Sequence, residues 1–522
     1  MNHTKLFTAA AALALSLSAC NTDKLTNLNV NPNNPADVPT TSLFTAALDS
    51  GANHWFGSFP DMRGGSLLTQ HLAEVQYPDE DRYTRLTGGS TTTWFDAPYT
   101  AELEDLQQVV DRGLAAKEPG IYGPGLVMRT WNFGYLTDSW GDIPYSQALK
   151  ASPSSDPTTL KPQYDMQKDI YADFFATLDK VSKDIQASNA GSLGRADLIY
   201  SGDLLKWQRF ANSLRARFAM RLVNVDPATA DAQLRAAFSA PGGVFQSNAD
   251  NAALRWPGDG IYNNPWAVNF ASRDDHRISR VLMEILKTNN DPRLPIYAQP
   301  APSDGQYRGA PNGVTAAKGA PYIALASRPG AVFYPGTTTY GFFGGTGNSF
   351  PNFLMTYAEL AFIQAEAAQR GIGGLTGSAA SYYNAGVQAS MEQWGVTGAA
   401  AAAYLAQPGV VYVPGTEGLR RIAQQKWVAL YTDGLQAWAE WRRTCVPATV
   451  QPGPDAQADE VPRRLQYSDT EYSVNATNLE TAATRQGGDD FSGRMYWDSK
   501  PTAAPTYFAG CGQRGVAPQP AP

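Results

Sequence analysis

The stretch DLIYSGDLLKWQRFANSLRARFAMRLVNVDP, residues 197–227, decides the fold. Within it Trp207, Phe210, Leu214, Phe218 and Leu222 recur at spacings of three and four, which places them on one face of an α-helix. Arg209, Arg215 and Arg217 fall largely off that stripe, and Asp226-Pro227 closes the pattern because proline cannot continue a helix. The spacing predicts a helix over 203–223 with its arginines turned away from the core.

The same period recurs on both sides. Ile170, Phe174, Leu178, Val181 and Ile185 predict a helix within 164–185, with Asp165 near its start, where an acidic group complements the dipole. Leu354, Ala358, Ala361, Phe362 and Ala365 form a narrow face of a helix over 351–370, and Gly371 suits a left-handed C-terminal cap. Residues 379–394 and 417–443 read as further helices. Trp207, Trp427, Trp438 and Trp441 sit at helical spacing, the position of core residues. By contrast, 240–345 is dense in Pro, Gly, Asn and aromatics with helical period only around 278–286, and the last 75 residues read as loop. The fold class expected is mainly α, helix pairs with small-residue faces forming a repeat scaffold that carries a large irregular lobe.

Composition narrows the function. Charged residues make up 17% of 522 and the net charge is −7; with no basic stripe, nucleic acid is not the partner. His54, His71 and His276 stand far apart and no His-Glu-x-x-His or Cys/His cluster occurs, so no zinc site is expected. Asp79 to Asp81 is too short for a calcium site and reads as a solvated acidic face. GFFGGTG, Gly341 to Gly347, lacks the Lys-Ser/Thr of a P-loop and the spacing of a dinucleotide fingerprint, so it reads as a flexible loop, and no cofactor is expected. A Gly-x-Ser-x-Gly elbow is absent. Acidic residues are numerous enough for a glycosidase pair, but the best placed, Glu359, Glu366 and Glu440, lie in helical segments, where a salt bridge is the ordinary role.

At the N-terminus, Lys5 precedes an apolar run to Ser18 that ends Leu17-Ser18-Ala19-Cys20. This is a signal segment rather than a span, which needs about 20 apolar residues. Its ending resembles the lipobox of bacterial lipoproteins, where the cysteine receives lipid; two or more acyl chains hold a protein stably to a membrane. The organisation expected is a signal peptide over 1–19, a lipidated N-terminus and polar tether over 20–40, and a single domain over 41–522. Cys445 and Cys511 remain; they either pair in an oxidising compartment or stay as buried thiols.

Several segments together resemble the SusD/RagB family of nutrient-binding outer-membrane lipoproteins. They are YLTDSWGDIPYSQAL (135–149), the opening stretch, DPRLPIYAQP (291–300), FLMTYAELAFIQAEAAQRG (353–371), YYNAGVQASMEQWGV (382–396), IAQQKWVALYTDGLQAWAEWRRT (422–444) and VPRRLQYSDTEYSVN (461–475). The resemblance implies tetratricopeptide-like helix pairs against a loop-rich lobe. It also implies a non-enzymatic protein anchored in the outer membrane and facing the exterior, which binds an oligosaccharide or a peptide and delivers it to a SusC-like TonB-dependent transporter. A lipid-anchored glycoside hydrolase and a pure interaction protein are the other classes.

Ligand contacts are expected from aromatics in loop-like, polar contexts. Those residues are Trp55 in NHWFG, Trp94 after three threonines, and the segment RWPGDGIYNNPWAVNF with Trp256, Asp259, Tyr262, Asn263, Asn264 and Trp266, followed by Arg273 and Asp274. Cys20→Ser is expected to release folded protein from the membrane fraction and to abolish uptake; uptake retained by the soluble variant would rule out a role for the anchor.

Overall fold

The structure, a computed structural model, describes residues 38–84, 88–150, 160–337, 345–499 and 510–515. Cys20, the signal segment, most of the tether and Gly341 to Gly344 lie outside them.

Sixteen α-helices of six or more residues organise the described residues. They are α1 (Thr40–Trp55), α2 (Gly88–Thr100), α3 (Glu102–Ala116), α4 (Pro119–Trp140), α5 (Gln167–Ala187), α6 (Leu204–Arg221), α7 (Pro227–Phe238) and α8 (Pro265–Phe270). Then follow α9 (Arg280–Thr288), α10 (Tyr357–Arg370), α11 (Ala379–Gln393), α12 (Gly398–Leu405), α13 (Gly415–Ala429), α14 (Gly434–Thr444), α15 (Asp469–Val474) and α16 (Ala476–Arg485). Successive helices pack in pairs: α3 on α4, α5 on α6, α6 on α7, α10 on α11 and α13 on α14. Three two-stranded antiparallel ribbons tie in the lobe: β1 (Leu72–Glu74) with β5 (His276–Ile278), β2 (Ile143–Pro144) with β3 (Tyr164–Asp165), and β4 (Ala252–Leu254) with β6 (Asn352–Met355). This is the mainly helical scaffold with a loop-rich lobe that the periodicity predicts.

Local signals account for the helix ends. Asp203 caps α6 by accepting from the Lys206 amide (3.2 Å), Asp226 caps α7 from Thr229 (3.1 Å), and Thr356 caps α10 from Glu359 (3.2 Å). Gly371 closes α10 at φ 71°.

Asp165 ends β3 immediately before Met166, the N-cap of α5, and so lies near the helix start as expected. Its carboxylate accepts from the Tyr145 and Ser146 amides, and Asp142 receives the first amide of α5, Gln167 N–H (2.9 Å). Four expectations are corrected. The stretch 417–443, expected as one helix, is broken at 430–433 into α13 and α14. Residues 351–355 are extended, and α10 begins only at Tyr357. The C-terminal region holds α15 and α16, the former opened by Ser468 Oγ accepting from Thr470 (3.1 Å). Most consequentially, Arg215, Arg217 and Arg221 are buried. α6 is surrounded by other elements, so its off-stripe face meets carboxylates instead of water.

Those carboxylates come from distant helices. Arg217 forms a two-point pair with Glu359 (2.8 and 2.6 Å), and Arg221 reaches Asp138 (3.2 Å) and Glu440 (3.7 Å). Arg443 binds Glu366 (2.8 and 2.6 Å) and Glu440 (2.5 Å), and Glu440 also takes Lys426 (3.0 Å). Burial opposes the charges of Glu366 and Glu440, but the surrounding cations together, Arg443 with Arg370 at Glu366 and Arg443 with Lys426 and Arg221 at Glu440, outweigh it and hold both carboxyls below their ordinary range. Cys445 and Cys511 form a disulfide with Cα atoms 5.6 Å apart, tying segment 510–515 to the end of α14. Arg443→Ala would remove the guanidinium that two buried carboxylates share, leaving Glu366 to Arg370 and Glu440 to Lys426 and Arg221, at a cost of about 3 kcal/mol. Denaturant unfolding is expected to show that loss; a change under 1 kcal/mol would show the network to be dispensable.

Candidate functional site

All twelve tryptophans are buried, none more than 4% exposed. A ligand platform in this structure must therefore come from other aromatics. Among the described residues, the exposed ones are Phe59, Tyr77, Tyr262 and Tyr472.

The four tryptophans expected at a site serve as anchors in this structure. Trp55 and Trp94 lie in α1 and α2, not in loops; Trp55 donates to Asn132 Oδ1 (2.7 Å) and stacks on Tyr135, and Trp94 packs beside Phe59. Trp256 donates its indole N–H to Asn352 Oδ1 (2.6 Å) on β6. Trp266 donates to Asp61 Oδ2 (3.1 Å) and packs against Phe270, Phe333 and Tyr431. A buried indole has a polar edge that must find an acceptor, and for Trp55, Trp256 and Trp266 that acceptor lies far away in sequence.

Trp256 and Asn264 pin the two ends of a short loop. Asn264 donates through Nδ2 to the Phe350 carbonyl (2.9 Å), its amide donates to Asn348 O (2.7 Å), and its Oδ1 caps α8 by accepting from Trp266 N–H (2.8 Å). Between the pins, Asp259 Oδ1 accepts from the Ile261 (2.9 Å) and Tyr262 (2.8 Å) amides, and Asn263 Oδ1 accepts from Gly260 (3.1 Å). Those backbone donors also hold the Asp259 carboxyl below its ordinary range. Gly258 (φ 71°) is required: a Cβ there would meet Ser349 Cβ at 2.9 Å. The loop is thus folded by its own polar groups, and its tip presents Ile261 at 81% and Tyr262 at 50% exposure.

α8 carries the chain from this tip to a second feature, with Val268 exposed on its outer side. Arg273 stacks over the ring of Tyr77 (5.1 Å) and is held by Asp275 (3.1 Å through Nε). Burial disfavours the Asp275 charge, but hydrogen bonds and charge from His276 and Arg273 draw the carboxyl well below its ordinary range. Asp274 is engaged otherwise, accepting from Arg277 (3.0 Å) and Arg328 (2.7 Å). The β1–β5 ribbon fixes Tyr77 beside this segment, since Val75 N–H donates to Asp275 O (3.0 Å). Glu80 and Asp81 are buried rather than a solvated acidic face: Glu80 takes Arg63 (2.6 Å) and Asp81 takes Asn312 (2.9 Å).

The segment 256–274 is therefore where the structure places most of the expected residues, with Tyr262 exposed, Arg273 partly so, Asp259 and Asn263 shaping the loop, and Asp274 in ion pairs. Ile261, Val268 and Tyr77 escaped the sequence reading. The aliphatic pair carries no chemical signature, and Tyr77 is brought near Arg273 only by strand pairing nearly 200 residues apart in sequence. No group of three or more His, Cys, Asp or Glu among the described residues is placed to hold a metal ion.

A family model named SusD-like and described as starch-binding, associating with the outer membrane, matches residues 32–468. Among solved structures, a chitin-binding protein is 28% identical, with 88% of this chain and 100% of that one covered at a TM-score of 0.74. A chitin-binding SusD homologue from Flavobacterium johnsoniae is 26% identical over 88% and 99% of the two chains, with a TM-score of 0.74. A SusD homologue from Bacteroides uniformis gives 26%, 88%, 99% and 0.75 for the same quantities. No protein with a curated description matches the chain.

The base of the site is titratable. Burial, then the neighbouring Asp433 charge, raises the Asp61 carboxyl to about 8 against donors from Gly434, Trp266 and Ser66, and burial raises Asp433 to about 7. A carboxyl raised on folding stabilises the fold fully below the unfolded value of about 3.9 and loses that contribution as pH rises through the folded value. The thermal midpoint is expected to fall between about pH 4 and pH 8, and less steeply in Asp61→Asn; equal slopes in both proteins would remove Asp61 from this role.

Proposed function

The chain belongs to the SusD-like family, and from that premise we propose that it captures a neutral glycan at the Ile261–Tyr262 tip and the neighbouring Arg273–Tyr77 stack. It would act as a lipid-anchored protein on the outer face of the outer membrane and pass its cargo to a SusC-like TonB-dependent transporter. The observation that carries the binding reading is the tip itself. An isoleucine at 81% exposure beside a half-exposed tyrosine, on a loop locked by Asp259, Asn263 and Asn264, offers apolar contact with little ordering entropy left to lose. Sugar rings present C–H faces that such side chains cover, while guanidinium and amide groups take the hydroxyls.

Two structural relatives described as chitin-binding make chitohexaose the first ligand to try, and the family's starch-binding description makes maltohexaose the second. Binding without turnover is supported by the fate of the best-placed acids: Glu359, Glu366 and Glu440 are all paired to buried arginines. The anchor reading rests on Cys20. The polar residues from 21 to 37 would span at most about 60 Å when extended, and the described chain is secured from Val38, whose carbonyl accepts from Arg112 (2.5 Å).

Isothermal titration of the mature protein with either sugar tests the site. The double variant Ile261→Ala/Tyr262→Ala is expected to keep wild-type stability within about 0.5 kcal/mol and to bind tenfold or more weakly, about 1.4 kcal/mol. Trp266→Ala should instead lose about 3–5 kcal/mol of stability. An unchanged dissociation constant in the loop variant would end the assignment, and binding of peptides in place of both sugars would redirect the function.

A further inference from the structure

We propose a second glycan subsite, distinct from the Ile261–Tyr262 tip, in a cavity of about 750 Å³ beside the C-terminal disulfide. It rests on the reading that the protein binds neutral glycans, and it adds a separate place on the surface where the same polymer is held.

Three separated segments build the cavity: 458–460, 490–492 and 513–514. Cys511 is fastened to Cys445 at the end of α14, and the following residues are laced to the wall opposite. Val461 N–H donates to Gly512 O (2.9 Å), Arg514 N–H donates to Asp459 O (2.8 Å), and Glu460 bridges Gln513. Gly512 lies so close to Trp441 that a Cβ would come within 2.7 Å of its ring. On the third side, Arg463 N–H donates to Phe491 O (2.8 Å), and Asp490 Oδ1 locks its own turn by accepting from Ser492 (2.8 Å) and Gly493 (3.0 Å) amides. The walls are therefore preformed.

Their chemistry selects the ligand class. Asp459 is paired with Arg514 (2.9 Å) and Glu460 with Arg494 (2.7 Å), so the carboxylates are already balanced by guanidiniums and offer no site for a free ion. What they present is acceptor next to donor, the arrangement that vicinal hydroxyls satisfy by donating to the carboxylate and accepting from the guanidinium. Phe491, half-buried in the lining, supplies apolar surface for a ring face, and Gln513 and Ser492 add an amide and a hydroxyl. The volume falls within the range of small-molecule sites and suits a short run of sugar rings. Two sites that grip one polymer raise its apparent affinity by effective concentration, without any change in either contact.

The test titrates the mature protein with chitohexaose and maltohexaose and, in parallel, measures retention on insoluble chitin and starch. Wild type is expected to bind two equivalents of the preferred hexamer. Phe491→Ala/Gln513→Ala should bind one and lose tenfold or more in retention on the polymer, while Phe491→Tyr, which keeps the ring, should behave as wild type. Ile261→Ala/Tyr262→Ala should lose the other equivalent. Binding that survives in the loop variant and disappears in Phe491→Ala/Gln513→Ala would support this subsite even as it removed the first. A wild-type isotherm in Phe491→Ala/Gln513→Ala, with its thermal midpoint unchanged, would overturn the subsite and leave the first reading intact. No binding of either sugar or polymer by wild type would overturn both.

Discussion

The guanidinium of Arg443 lies between Glu366 and Glu440 with almost no access to water, and the helical scaffold is arranged to keep it there. Glu440 passes the connection to Lys426 on α13 and Arg221 on α6, and Arg221 passes it to Asp138 on α4. Five helices, α4, α6, α10, α13 and α14, are thereby held in one register. Buried ion pairs of this kind add little net stability over apolar packing, because desolvation offsets most of the attraction. Their effect is on alternatives: a helix slipped by one turn would strand a charge in a medium that cannot solvate it. Small residues along α10 allow the close approach the pairs need, and Gly65 and Gly434 do the same where α14 meets the 58–65 segment.

From this rigid layer the irregular lobe is hung by tryptophan and asparagine side chains. Trp256, Trp266 and Asn264 each reach a partner from another part of the chain, Asn352, Asp61 and Phe350 respectively. A long loop region otherwise has too little regular hydrogen bonding to hold one shape. Use of the indoles as anchors explains why none is left at the surface, and why the exposed large side chains around this segment are Tyr262, Tyr77, Ile261 and Val268. The tip loop is ordered from within, so the exposed groups at its end are placed without help from a ligand. The same principle, loops fixed by their own polar groups and by a remote covalent or indole tie, recurs at the disulfide-bound C-terminal segment.

Much of the scaffold is legible in the sequence. Apolar spacing identified α5, α6, α10 and α11 and ran α13 and α14 together as one helix over 417–443, caps such as Asp203 and Gly371 marked helix ends, and the ordered motifs from Tyr135 to Asn475 pointed to the family. Helix α4 was less visible because it is buried around nearly its whole circumference and contains Pro124, and α2 contains Pro98. Helices α1 and α3 do carry apolar stripes, Leu43, Phe44, Ala47 and Leu48 in the first and Leu103, Leu106, Val109 and Val110 in the second, which went unread. α15 and α16 were masked by polar composition. The candidate site was legible as a segment, 256–274, but not as a set of contacts.

What the sequence by itself determined is local: the helical period, the capping residues, the charge balance that sets nucleic acid aside, and the family to which the motifs belong. Only the tertiary structure decided that Arg215, Arg217 and Arg221 face carboxylates instead of solvent, that every tryptophan is interior, and that Tyr77 meets Arg273. The reason is physical. Periodicity reports which side of an element is apolar, because neighbours three and four residues apart share a face. Whether the other side meets water, an ion partner or another chain segment depends on contacts between residues hundreds of positions apart, and those exist only once the chain has packed.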